Sequence, residues 1–327
     1  MLNSVLVYIP CHTDFHEALN QAQRLRRDFQ SYIEFGNAKY ERLHIVLSVN
    51  HFEPAKQDRI RAEKLFDEVF YYGEALLADV NVFEGFLVAL RQNHEIFWIL
   101  SANDELVEGS LATVLKEFDR QPDIQLLVAN ALGLSTIFIE TQVLNPPKAG
   151  YWYGLISGVV YRTTNVQKYF NIAPFVSWTG WGHLAVIQSA IEGEKGLTVS
   201  TIPAEVLFIQ GERDSTRDGH KYAHSFQGEL ILRFLFKQSK NQRRRLIREY
   251  ILKNFLILHF YNKRDSKISG PLSLVSSDHY LSWSRVISES LIKSNNPLTY
   301  AVYKILKTIP FENGKNNKVL RLFKRFL

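Results

Sequence analysis

Apolar positions in the first 130 residues switch repeatedly between two periods. The short runs SVLVYIP (Ser4–Pro10), LHIVLSV (Leu43–Val49), EVFYYG (Glu68–Gly73), EIFWIL (Glu95–Leu100) and IQLLVAN (Ile124–Asn130) read as strands. Between them apolar residues recur at helical spacing. These are Phe15, Ala18, Leu19, Ala22, Leu25 and Phe29, then Ile60, Leu65 and Phe66. Val82, Phe86, Ala89 and Leu90 form a third set, and Leu111–Phe118 a fourth. Strands alternating with helices predict βαβ units and a parallel sheet, an α/β fold. From Leu132 to Phe208 the pattern becomes short strands, Gly/Pro turns and aromatics, which predicts a mixed sheet with antiparallel additions. Residues 210–225 are polar and glycine-punctuated, a loop, and beyond Phe226 the chain reads as helical.

Composition narrows this picture. The 327 residues are 46% hydrophobic, enough for a sizeable core. Cys11 is the lone cysteine, which excludes a disulfide framework and a cysteine-based zinc site and fits a reducing compartment. The opening MLNSVLVYIPCH lacks a basic start and reads as a strand instead of a signal peptide. No apolar stretch approaches the roughly 18 residues of a membrane span. The net charge of +6 is split: residues 1–232 carry 19 Lys/Arg against 28 Asp/Glu, and residues 233–327 carry 20 against 5. The reading is therefore a body, residues 1–225, followed by a basic helical extension, residues 226–327. Basic segments of this kind meet phosphates.

In an open parallel sheet ligands bind at the carboxyl ends of the strands. Small or polar residues follow three of the predicted strands: Pro10, Cys11, His12 and Thr13; Ser48, Val49, Asn50 and His51; Ser101, Ala102, Asn103, Asp104 and Glu105. Three such clusters suit one polar ligand, although loop polarity explains any one of them. There is no G-x-G-x-x-G after the first strand, no P-loop and no G-x-S-x-G, so those dinucleotide, nucleotide and hydrolase sites are disfavoured.

FWILSANDELVEGSL (Phe97–Leu111) resembles the segment of family 2 glycosyltransferases in which an apolar strand runs into the D-x-D turn. VLVYIPCHTD resembles that family's first strand, and ADVNVFEGFLVAL (Ala78–Leu90) the helix, opened by an asparagine, that precedes the D-x-D strand. The resemblance covers roughly residues 1–200. It implies a GT-A fold, with a Rossmann-like nucleotide-binding half and a mixed half for the acceptor. It also implies a divalent cation, Mg²⁺ or Mn²⁺, bridging the donor diphosphate at Asn103, Asp104 and Glu105. Ser101 and Asn103 stand where aspartates are usual, so the cation is expected to be weakly held or absent. A plainer reading makes Asn103-Asp104 the cap of a helix beginning near Glu108.

Farther on, VSWTGWGHLAVIQSAIEG (Val176–Gly193) occupies the place of the family's catalytic acid. His183 stands there as the candidate base, with Trp178 and Trp181 as stacking faces for a sugar. The alternative is a core pair of tryptophans and a helix-start histidine. YWYGLISGVVYR (Tyr151–Arg162) resembles the strand lining the donor sugar, with Ser157 and its flanking glycines at the ligand. The expected substrate contacts are thus Pro10, His12, Thr13, Asn50, Asn81, Ser101, Asn103, Ser157, Trp178 and Trp181, with His183 and Asp104 catalytic. The loop cations Arg213, Arg217, His220, Lys221 and His224 could close over a diphosphate.

The last segment, NNKVLRLFKRFL, separates Val319, Leu322, Phe323, Phe326 and Leu327 from Lys318, Arg321, Lys324 and Arg325 around a short helix. Such a helix suits an anionic membrane surface better than nucleic acid, for which no recognised module appears. Two function classes follow. One is an inverting glycosyltransferase, peripheral on the inner face of the cytoplasmic membrane, that moves a sugar to a glycan or lipid-linked acceptor in surface-polysaccharide synthesis. The other is a non-catalytic, membrane-tethered binding protein of the same fold.

Overall fold

The computed structural model describes residues 2–11, 15–36, 38–50, 53–72, 78–102, 104–129, 138–140, 156–172, 182–193, 197–202 and 207–209, with isolated positions 297 and 301. Nearly all of these belong to one unit, formed by residues 1–177 and 182–211. Apart from positions 297 and 301, the basic extension lies outside the described residues, as does the loop Arg213–His224.

The predicted strands form, with boundaries moved by one or two residues. They are β1 (Leu2–Cys11), β2 (Arg42–Asn50), β3 (Glu68–Tyr72), β4 (His94–Ile99) and, after a short β5 (Asp104–Leu106), β6 (Leu126–Val128). The helices between them are α1 (Phe15–Glu34), α2 (Lys56–Leu65), α3 (Ala78–Gln92) and α4 (Ser110–Arg120). Then come β7 (Phe138–Glu140), β8 (Val159–Arg162), α5 (Gly182–Gly193), β9 (Leu197–Thr201) and β10 (Leu207–Ile209).

The main sheet has the order β3-β2-β1-β4-β8-β6-β9-β7. The first four strands are parallel, and β8 then runs antiparallel between β4 and β6. This is the expected GT-A division into a parallel Rossmann-like half and a mixed half. Sequence pattern alone did not show that the predicted fifth strand, now β6, is separated from β4. The slot beside β4 goes to β8, whose residues Val160, Tyr161 and Arg162 pair with Trp98, Phe97 and Ile96.

Both faces of the parallel half are covered. On one, α1 and α4 bury Ala18, Leu19, Leu25, Leu111, Leu115 and Phe118 against Val5, Val7, Ile45 and Trp98. On the other, α3 brings Phe86 against Phe97, Tyr161 and Phe170, with ring centroids 5.0–5.8 Å from Phe86. Gly85 lets α3 approach closely, because a Cβ there would lie 2.7 Å from the Tyr8 ring.

The amino end of β4 is tied by buried polar groups. Glu95 Oε1 accepts from Arg162 at 2.5 Å and from Lys39 at 2.6 Å. Arg162 also donates to the carbonyls of Ile124 (2.8 Å) and Phe118 (2.9 Å), so its donors are well used. Beside this pair His94 contacts Ser4 Oγ (2.9 Å) and Gln92 Oε1 (3.1 Å), with its ring 5.2 Å from that of His44.

Burial, reinforced by His44 and opposed by Asp67, pushes His94 down to about 4. The unfolded chain therefore binds this proton first, so its stabilising contribution is full above about pH 6.5 and is lost as pH falls toward 4. Urea unfolding should lose about 2–3 kcal/mol across that window from this group. His94→Gln should lose that share of the slope; an unchanged slope would contradict the assignment.

Candidate functional site

The parallel strands end together at Cys11, Asn50, Tyr72 and Ile99, and the chain leaving β4 makes the tight turn that carries the acidic residues. The turn stays attached to β1: Leu100 N–H donates to Tyr8 O (2.9 Å) and Ala102 N–H to Pro10 O (3.3 Å). It closes on itself through Asp104 N–H to Ser101 O, 3.1 Å. The chain then enters β5, which pairs antiparallel with β10: Asp104 opposes Ile209 and Leu106 opposes Leu207. A strand at Asp104–Leu106 was not apparent in the sequence, because three residues are too few to show a period.

Ser157 holds the turn from the mixed half. Its Oγ accepts from Ser101 N–H at 2.9 Å, its hydroxyl lies near the Asp104 carboxyl, and its carbonyl accepts from Trp98 Nε1 at 2.8 Å. Burial raises the Asp104 carboxyl above its ordinary range, and the Ser157 hydroxyl opposes that shift. Pro10, Ser101, Asp104 and Ser157 thus form one cluster.

The helix α1 also holds the turn. Gln21 Nε2 donates to the carbonyls of Ser101 (3.0 Å), Ala102 (3.4 Å) and Asp104. Arg24 donates to Leu106 O at 2.7 Å and pairs with Glu105 at 2.8 Å. Asp28 accepts from Gly109 N–H (2.9 Å) and Leu111 N–H (3.1 Å), and so caps α4 from another helix. Gly109 has φ 79°, a conformation glycine adopts without strain, and offers no side-chain cap of its own. The reading in which Asn103-Asp104 caps this helix is therefore corrected: the helix begins at Ser110, and its cap is Asp28. The sequence reading missed Gln21, Arg24 and Asp28. A signal for two of them existed, since Ala18, Gln21, Leu25, Asp28 and Tyr32 continue one buried helical stripe.

A second cluster lies between β1, β2 and α3. Asn81, fully buried, accepts at Oδ1 from Tyr8 Oη (2.9 Å) and from Ser48 Oγ. Its Nδ2 is buried with no hydrogen-bond partner among the described residues. Asn50 is fully buried at the end of β2. His183, the second residue of α5, is 2% exposed. His12, Thr13, Asn103, Trp178 and Trp181 lie outside the described residues.

Of the three carboxyl or amide ligands expected for a cation, Glu105 is engaged by Arg24 and Asn103 is not described, leaving Asp104. Among the described residues no group of three or more His, Cys, Asp or Glu side chains could hold a metal ion. These residues do not fit a metal cage built by the protein.

No family model and no curated protein matches the chain. Among solved structures it is similar to TarS 1–349 of S. aureus, at 11% identity and TM-score 0.47, over 90% of this chain and 82% of that one. TarS 1–349 is also matched in complex with UDP-GlcNAc, at 9% identity and TM-score 0.47, over 90% and 82%. The mannosyltransferase PcManGT from Pyrobaculum calidifontis, in complex with GDP-Man and Mn²⁺, matches at 13% identity and TM-score 0.44, over 92% and 85%. The fold assignment stands on the strand order above.

Asp28→Ala should remove two hydrogen bonds to a carboxylate and leave the first turn of α4 without its cap. The expected loss is about 2–4 kcal/mol in urea unfolding. A loss below about 0.5 kcal/mol would show that the cap contributes little.

Proposed function

We propose that the chain is a glycosyltransferase that takes a sugar from a nucleoside-diphosphate donor. The observation that supports this most is the Asp104 carboxyl, half-buried near Ser157, just beyond β4 at the carboxyl edge of a parallel sheet. The donor's diphosphate end lies at this turn, and the nucleoside end toward Asn50 and Asn81. The resemblance adds His12, Thr13, Asn103, Trp178 and Trp181 as candidate substrate-binding residues.

The reaction is an inverting single displacement. The acceptor hydroxyl attacks the anomeric carbon, and His183 takes its proton. The bond between that carbon and the phosphate oxygen breaks, with its electron pair leaving on the diphosphate. A divalent cation is weakly held or dispensed with, because Glu105 is tied to Arg24. Arg213, Arg217, His220, Lys221 and His224 are the sequence's candidates for meeting the leaving charge.

The acceptor is a glycan or lipid-linked saccharide of surface-polysaccharide synthesis. Residues 1–225 form the transferase, and residues 226–327 hold it on the cytoplasmic face of an anionic membrane. Among the described residues no helix is long and apolar enough to cross a membrane. A second reading, a non-catalytic nucleotide- or glycan-binding protein, is favoured by the same engagement of Glu105 by Arg24. Donor hydrolysis with and without Mn²⁺ separates the two.

Asp104→Ala and His183→Ala should each lower transfer by about 100-fold or more while near-ultraviolet circular dichroism stays native. Full activity in either variant removes that residue from the mechanism.

Deleting residues 316–327 should release the protein from vesicles of anionic lipid in co-sedimentation at low salt, since each cation near such a surface contributes about 1 kcal/mol. Sugar-nucleotide binding should be spared. Equal partitioning of intact and truncated chains would remove the terminal anchor.

A further inference from the structure

Resting on the reading of the acidic turn as the phosphate end of the donor site, we infer that Gln21 is a positioning residue for that end. The two N–H hydrogens of one side-chain amide, 3% exposed, are shared among three carbonyl groups of the turn, those of Ser101, Ala102 and Asp104. These acceptors fix which half of the amide faces the turn. The other half, Oε1, is buried with no hydrogen-bond partner among the described residues. Leaving an acceptor unsatisfied in a core is unfavourable. The side chain is therefore kept for its donor alone.

The effect on the turn is directional. Its carbonyls face α1 through Gln21, whereas the Ser101 amide and the Asp104 carboxyl face Ser157. Gln21 and Ser157 both hold the turn, one through its carbonyls and the other through the Ser101 amide. A backbone held by three bonds to one rigid helix cannot peel away when a charged ligand arrives at Asp104. Shifts of about an ångström at such a group are enough to weaken its action strongly.

Gln21 lies on the second turn of α1, and its hydrogen bonds among the described residues go to main chain. Its loss should thus weaken the phosphate end of a ligand and leave the nucleoside end alone. A purely structural role predicts equal weakening of both.

The test compares the full-length chain with Gln21→Met, which keeps the length and removes the donor. UDP and GDP are titrated by calorimetry, and uridine and guanosine by ligand-observed NMR. Tyr32→Phe serves as a structural control. It lies near the other end of α1, where the hydroxyl donates to Asp119 at 2.5 Å. Gln21→Met should weaken the binding diphosphate about tenfold or more and change its nucleoside less than about twofold. Tyr32→Phe should lower the melting temperature and leave that ratio unchanged. If Gln21→Met does not fold, Gln21→Asn keeps the amide one methylene short of the turn and should give the same preferential loss.

Equal weakening of diphosphate and nucleoside, or no weakening of either, would overturn the positioning role while leaving the transferase reading intact. A wild-type chain that binds neither UDP nor GDP would overturn the transferase reading, and this inference with it.

Discussion

The geometry of the site depends on two buried polar side chains of one helix. Gln21 and Asp28 interrupt an otherwise apolar stripe of α1, and each is 4% exposed or less. Burying such groups is unfavourable unless their hydrogen bonds are made. Here the bonds go to main-chain groups of the segment from Ser101 to Leu111. The segment includes the acidic turn, β5 and the start of α4. One helix thereby sets the position of the residues that follow β4, and Arg24 between them adds the Leu106 carbonyl and the Glu105 carboxylate.

Stability and chemistry occupy opposite ends of the same strand. At the amino end of β4 the Glu95–Arg162 pair joins the parallel half to β8, with Lys39, Ile124 and Phe118 using further lone pairs and donors. A buried pair supplied this well loses much if either partner is removed. At the carboxyl end the strand releases into the turn, where the Asp104 carboxyl, near Ser157, is destabilised as a charge by burial. The rigid end permits the other to hold an unfavourable charge for a ligand.

Much of the fold was legible because period carries it. Five strands and four helices appear in the pattern, since β-branched runs such as Leu43–Val49 and the Phe15–Phe29 stripe each repeat over several residues. The insertion of β8 beside β4 was not legible, because strand order depends on contacts remote in sequence. The acidic turn was legible as chemistry but not as structure: Asp104–Leu106 is too short to show alternation. Asp28 capping α4 joins residues 81 and 83 positions away in the chain, and no local rule reaches that far. The polar members of the α1 stripe were visible in the sequence and were passed over in favour of the apolar ones. For Asp104 and Ser157 the resemblance named the residues, and the structure adds that they meet.

The central claim is that the turn after β4 is where a sugar nucleotide's diphosphate lies. Amide hydrogen exchange of the full-length chain, with and without saturating UDP-GlcNAc or GDP-mannose, tests it most directly. The account predicts slowed exchange in peptides covering residues 101–111 when the donor is bound, with the amino end of β4 around Glu95 unchanged. A bound donor that leaves 101–111 unprotected and slows exchange elsewhere in the sheet would contradict it.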